Sequence, residues 1–255
     1  PRGLSSRQFL RYYAEEFSTV ELDTTWYRVP AAETVRRWRD ETPDGFVFAA
    51  KVPQAITHDK ILAGCDDDMR RFVERMAGLG PKLGPLLLQF PAFGRETFGS
   101  LGEFLTALEP FLDRSPAGFR YAVEVRNRDW VGEALLDSLR ARRVAFAWTA
   151  MARMPNPAAV ADRLDVATAD FLYLRWLGDR AGIERITRTW DRTVVDRESE
   201  LDRWAELLQP QRRRGLPVYG YVNNHFAGHA PATIRGLLDR LAPLDRPRQA
   251  RPVSG

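Results

Sequence analysis

Short apolar runs alternate with amphipathic runs along almost the whole chain, the pattern of repeated βα units and hence of a parallel sheet covered by helices. An opening helix is predicted after a Ser5 or Ser6 cap, because Leu10, Tyr13, Ala14 and Phe17 recur at helical spacing. A strand is expected over residues 19–25. Pro30 then starts a helix through Val35 and Trp38, and Gly45 closes the turn before a strand over residues 46–52. Met69, Phe72, Val73 and Met76 form one helical stripe, and Gly84 precedes a strand over 85–90. Leu101, Phe104, Leu105 and Leu108 mark the next helix, followed by a strand over 120–126. Leu135, Leu136 and Leu139 lead to a strand over 144–149, a short helix over 158–164 leads to one over 171–176, and Leu201, Trp204 and Leu208 lead to one over 218–223. Pro231 opens the last helix, which carries Ile234, Leu237, Leu238 and Leu241.

The count is seven strands, each followed by a helix, with one helix in front. No linker interrupts them, so residues 1–241 are expected to form a single domain, a TIM-type (β/α) barrel whose first strand is missing from this chain. A doubly wound open sheet is the competing α/β architecture, but the glycine-rich phosphate turn it usually carries after its first strand does not occur. The chain starts at Pro1 with neither an initiator Met nor an apolar signal segment, which suggests a processed or truncated N-terminus. Residues 242–255 are rich in Arg and Pro and are expected to be a mobile tail.

Composition narrows the setting. Hydrophobic residues at 44% and charged residues at 28% are globular values, and no apolar run is long enough for a membrane span, so no membrane partner is expected. The single cysteine, Cys65, excludes an internal disulfide framework and a thiolate-cluster metal site, and suits a reducing, cytoplasmic compartment. A net charge of +4 does not come from a basic block of the kind that marks a nucleic-acid arm. Lysine occurs only at Lys51, Lys60 and Lys82 among many arginines, which draws attention to Lys51 at a strand end as an ammonium with an adjustable pKa.

Side chains alternate across a strand, so in a barrel one parity packs on the helices and the other faces the lumen. Applied to each strand, this rule sends Glu21, Asp23, Lys51, Gln89, Glu124, Arg126 and Arg175 inward, together with one or both of Asn223 and Asn224. Ionised groups in a core cost several kcal/mol each unless paired, so they are expected to meet one another, water or a ligand. They lie at or near the C-terminal ends of six strands, where barrel enzymes place their catalytic groups. A self-satisfying ion-pair network is the alternative.

Further features fall on the same rim. His58, His225 and His229 all follow strands. The connection from 178 to 196 is unusually long and carries Arg180, Arg185, Arg188 and Arg192, as a lid over an anion would; a plain solvated loop is the alternative. Trp26, Tyr27, Trp130 and Trp176 sit at strand ends, placed either to stack on a sugar or base or to pack in the core.

The run from Phe17 through Glu21, Asp23, Thr24, Thr25, Trp26 and Tyr27 to Arg28 resembles the YecE-like family, a bacterial and archaeal domain of unknown function with a TIM-barrel-like fold. The likeness extends to Lys51-Val52-Pro53 with Ile56-Thr57-His58, to Leu83-Gly84-Pro85 with Gln89-Phe90-Pro91, to Ala122-Val123-Glu124-Val125-Arg126 with Trp130, and to the segment from Asn223 to Pro231. Two departures stand out. The family's opening glycine-rich strand with a Gly-Trp pair is absent, and Trp148-Thr149-Ala150 stands where members often carry an Asp. The resemblance implies the fold and the site positions and supplies no reaction.

Three classes of function remain. The first is an enzyme acting on a small anionic or polyhydroxylated molecule such as a phosphosugar. Its catalytic candidates are Glu21, Glu124 and His225, with Asp23, Lys51, His58, Gln89, Arg126, Trp130, Arg175, Asn223 and Asn224 binding the substrate. The second is a metal-assisted hydrolase, including one for phosphodiesters, with His58, His225, His229, Glu21 and Glu124 as candidate ligands. The third is a non-catalytic module whose Arg-rich loop binds nucleic acid or another acidic partner. The sequence names no cofactor.

Overall fold

The structure is a computed structural model and describes residues 3, 5 and 8–242, so residues 243–255 of the expected tail, and Ser6, lie outside the described residues. Seven strands form one sheet in chain order: β1 (Thr19–Leu22), β2 (Val47–Lys51), β3 (Leu83–Gln89), β4 (Tyr121–Glu124), β5 (Ala145–Met151), β6 (Leu172–Gly178) and β7 (Val218–Val222). Helix α1 (Phe9–Glu16) precedes β1, and α2 (Thr24–Tyr27) and α3 (Ala32–Asp40) follow it. The later helices are α4 (Asp66–Ala77), α5 (Leu101–Arg114), α6 (Glu133–Ala141), α7 (Pro157–Ala161), α8 (Arg180–Ile186), α9 (Glu198–Arg213) and α10 (Ala230–Leu241). Successive pairs from β1 to β5 are parallel, and the fold is an α/β fold of the TIM type. Packing groups the chain into two compact units, one running up to Trp148 and including Leu164–Tyr173, the other comprising Thr149–Arg163 and the chain from Leu174 on.

In the first unit, Phe48 of β2 stacks on Trp38 of α3 with ring centroids 6.3 Å apart, which fixes the face of the strand that meets the helices. Alternation then turns Ala49 and Lys51 to the opposite face. The register carries this assignment across the sheet: Glu21 pairs with Ala49, Lys51 with Leu87, Leu87 with Ala122, and Gln89 with Glu124. Partners in register share a face, so Glu21, Lys51, Gln89 and Glu124 all lie opposite the helix-facing set, as the alternation in the sequence expects. The register shifts by one residue between β2 and β3, and Gly84 sits at the shift, where a Cβ would lie 2.4 Å from Val47 Cγ1.

The helix-facing side is a packed apolar layer in which Phe46, Phe48, Phe72, Phe104 and Phe111 are buried, each worth about 1.5–3 kcal/mol. Lys82 belongs to this scaffold. Its buried ammonium donates to Arg39 O, in the last turn of α3, and to Thr42 O just beyond the helix, each at 2.6 Å.

Several boundaries differ from expectation. Helix α1 starts at Phe9, and Ser5 donates to Gln8 Oε1 instead of capping the helix. β1 stops at Leu22 because the chain turns into the single helical turn α2, held by the buried Thr25 hydroxyl, which reaches Leu22 O at 2.8 Å and Lys51 O at 2.7 Å. In the second unit, the segment after β6 contains α8, where Arg180 and Glu184 pair at 2.8 Å in an i,i+4 spacing. Further along this segment, Val194 N–H donates to Ala227 O at 2.8 Å, so it is fastened to the turn that follows β7.

Candidate functional site

The first unit gathers its polar groups where β1, β2, β3 and β4 end. Glu124, the last residue of β4, is 1% exposed and accepts a hydrogen bond from Arg126 Nε, two residues beyond the strand. A charged donor at a carboxylate forms a strong bond, and this one supplies the partner that a buried charge requires. Glu21 of β1 accepts from the buried Tyr173 phenol. Gln89, in register with Glu124, turns its side-chain amide to Phe90 O at 2.8 Å.

Lys51 ends β2 with its side chain 13% exposed. Its ammonium lies 3.4 Å from Asp23 Oδ1 and 5.3 Å from the centroid of the Trp26 ring. Asp23 was expected on the inward face of a strand; since β1 ends one residue earlier, it opens α2 instead, and its side chain is 64% exposed. The Trp26 ring meets His58 edge-on at 5.2 Å, and its Nε1–H is buried with no hydrogen-bond partner among the described residues.

His58 stands on a π-type turn, Ala55–Asp59, in which Lys60 N–H donates to Ala55 O at 3.0 Å. Its Nδ1 is 2.8 Å from the hydroxyl of the buried Thr57. Burial, then the positive charge of Lys51, hold its pKa below the ordinary value; Asp59 opposes them, and Arg126 adds a smaller push downward. The imidazole is therefore neutral near physiological pH.

Trp130 occupies a different environment from the one expected of a ligand-stacking ring. It is 7% exposed and stacked on Phe104 at 4.9 Å and Phe93 at 6.1 Å, within a cluster that includes Phe90 and Phe98. The loop that carries Phe93 is fixed by Asn127, whose side chain accepts from Phe93 N–H at 2.8 Å and donates to Phe93 O at 2.9 Å. Trp130 is therefore packed within this aromatic cluster.

The second unit holds the remaining candidates. Arg175 is buried on β6. Asn223 and Asn224 use their side-chain oxygens locally, accepting from His225 N–H at 2.9 Å and from Ala230 N–H at 2.8 Å, so both shape the turn after β7. That turn presents His225, whose Nε2 is 3.2 Å from Glu184 Oε1 and whose ring lies edge-on to Trp190 at 4.9 Å. Arg180 first, and His225 after it, hold the Glu184 carboxyl below the usual range. Gly178 allows the approach of this turn: at φ +70° its missing Cβ would lie 2.2 Å from His225 O.

Of the proposed metal ligands, Glu21, Glu124 and His58 belong to the first unit, and His225 and His229 to the second. Among the described residues no group of three or more His, Cys, Asp or Glu side chains is placed to hold a metal ion. No helix among them is long and apolar enough to cross a membrane.

Sequence reasoning left Thr57, Tyr173 and Glu184 out of the site. Tyr173 carried a usable signal, since it shares inward parity with Arg175. Thr57 could be found only through its contact with His58, and Glu184 lay in a segment with no clear apolar period.

Comparison with known proteins bears on the fold and the family. The chain is 45% identical to the UPF0759 protein YecE of Escherichia coli over 118 residues, which is 46% of this chain and 41% of that protein. The match thus spans less than half the length of that relative. It is similar to the crystal structure of a DUF72 family protein from Thermotoga maritima MSB8, with 25% identity, a TM-score of 0.72, and coverage of 96% of this chain and 92% of that one. It is also similar, at 10% identity and a TM-score of 0.51, to a glycoside hydrolase family 5 enzyme from Prevotella bryantii B14, covering 94% of this chain and 86% of that one, a likeness of fold alone. Residues 1–253 match the family described as "Protein of unknown function DUF72", and the chain belongs to that family.

Proposed function

We propose that the first unit binds a small anionic or polyhydroxylated molecule, phosphosugar-like in chemistry, and acts on it through carboxylate acid–base catalysis of a hydrolase or isomerase type. The observation that carries this reading is Glu124, a carboxylate 1% exposed at the C-terminal end of a TIM-type strand and held by Arg126. Core stability is served as well by an apolar side chain there, so a charge kept in that position points to chemistry. Lys51 and Arg126 supply positive charge for the substrate, Glu124 moves a proton, and Glu21, set by Tyr173, is the second carboxylate.

The test is direct. Phosphosugars and inorganic phosphate are titrated calorimetrically into the full chain, and the ligands that bind are followed for turnover. Glu124→Gln should bind with little change and lose turnover by at least about a hundredfold, the usual worth of a general acid or base. Lys51→Met should weaken binding. Full turnover by Glu124→Gln on a substrate of the parent protein overturns the assignment.

A further inference from the structure

The hydrogen bonding of Thr57 determines which nitrogen of His58 carries the proton. The Thr57 side chain is fully buried, and its hydroxyl has one hydrogen-bond partner among the described residues, His58 Nδ1 at 2.8 Å. A buried hydroxyl hydrogen without an acceptor is costly. If Nδ1 carried the proton it would donate to the Thr57 oxygen, and the hydroxyl hydrogen would have nowhere to go. Thr57 therefore donates, Nδ1 accepts, and the proton of the neutral ring sits on Nε2. Nε2 in turn has no hydrogen-bond partner among the described residues.

Donors surround His58, and a carboxylate lies among them: Asp23, 3.4 Å from the Lys51 ammonium and largely exposed. Its ring is edge-on to Trp26, which carries the Lys51 ammonium over its face and has a buried, unpartnered N–H of its own. The charges it senses most are Lys51, Asp59 and Arg126. A hydroxyl ligand brings a hydrogen that needs an acceptor; an oxyanion brings only acceptors.

We propose that His58 is a neutral hydrogen-bond donor, not a base, that it recognises an oxyanion of carboxylate, phosphate or sulfate type through Nε2–H beside Lys51, and that Thr57 is the positioning residue that fixes this tautomer. The proposal rests on the anionic reading of the first unit and narrows it: of the anionic and polyhydroxylated molecules considered, those bearing an oxyanion are selected.

The experiment uses the full chain labelled with 15N and long-range proton–nitrogen correlation at neutral pH, with inorganic phosphate as the probe. His58 should show an unprotonated Nδ1 and a protonated Nε2 in the parent and in Thr57→Ser. Thr57→Val, nearly isosteric and without the donor, should show a mixture of tautomers. Phosphate should move the Nε2 signal, and its affinity should fall about tenfold in His58→Phe, as for loss of one hydrogen bond to a charged group. A protonated Nδ1 in the parent overturns the tautomer and the donor role, and leaves the anionic reading standing. So does phosphate binding that Lys51→Met weakens but that leaves Nε2 unmoved. Phosphate and phosphosugars that fail to bind at all, with Nε2 protonated, overturn the anionic reading and the oxyanion role with it.

Discussion

The Tyr173 phenol donates to Glu21 Oε2, joining the first strand to the sixth across 152 residues of sequence. Both groups sit on strands, so the backbone fixes their separation and the bond holds Glu21 in one orientation. Tyr173→Phe removes the donor and keeps the ring. Unfolding in urea should show a loss of about 1.5–3 kcal/mol, the range for a hydrogen bond to a charged group, and a loss below the error of the measurement would show that the bond contributes nothing to stability.

Arg126 and Glu124 form an ion pair whose carboxylate is 1% exposed, and breaking it from one side should be worse than removing it whole. Arg126→Met is expected to destabilise by about 3 kcal/mol, the lower end for a buried pair because the arginine is partly exposed. Adding Glu124→Gln to it should recover part of that loss. A double-mutant cycle with a coupling near zero would contradict the pairing.

His58 should make stability depend on pH in a defined direction. Burial first, and then Lys51 and Arg126, place the folded-state pKa below the ordinary 6.5, so as pH falls the unfolded chain takes up the proton before the folded one. The contribution is fully present above 6.5 and is lost as pH drops from there through the folded pKa. Denaturation midpoints compared above and below this window should therefore fall more steeply in the parent than in His58→Gln. Parallel profiles would place His58 in an environment like water.

Trp130 separates packing from recognition. Trp130→Ala should cost about 3–5 kcal/mol, as for other large buried aromatic rings, whereas Trp130→Phe should keep both the fold and the phosphate affinity. Thermal melting and calorimetry together decide this: a stable Trp130→Phe that has lost phosphate binding would return the ring to the ligand.

The alternation of apolar and polar residues was enough to place Glu21, Lys51, Gln89 and Glu124 on one face of the sheet, because strand parity is local and the parallel register preserves it from strand to strand. It was also enough to order seven strands and their helices, since each βα unit writes its own period into the chain. Asp23 escaped this logic by a single residue, where a helical turn replaced the end of a strand. The contacts of Trp130, Asn223 and Asn224 lay beyond it, because a side chain's partner is set by distance in space: an aromatic ring between Phe93 and Phe104, and amide oxygens turned back on the local backbone. Tyr173 with Glu21, and Thr57 with His58, belong to the same class. Periodicity along a chain fixes which face a residue takes, while the hydrogen atom it gives or receives depends on a neighbour that only folding brings within reach.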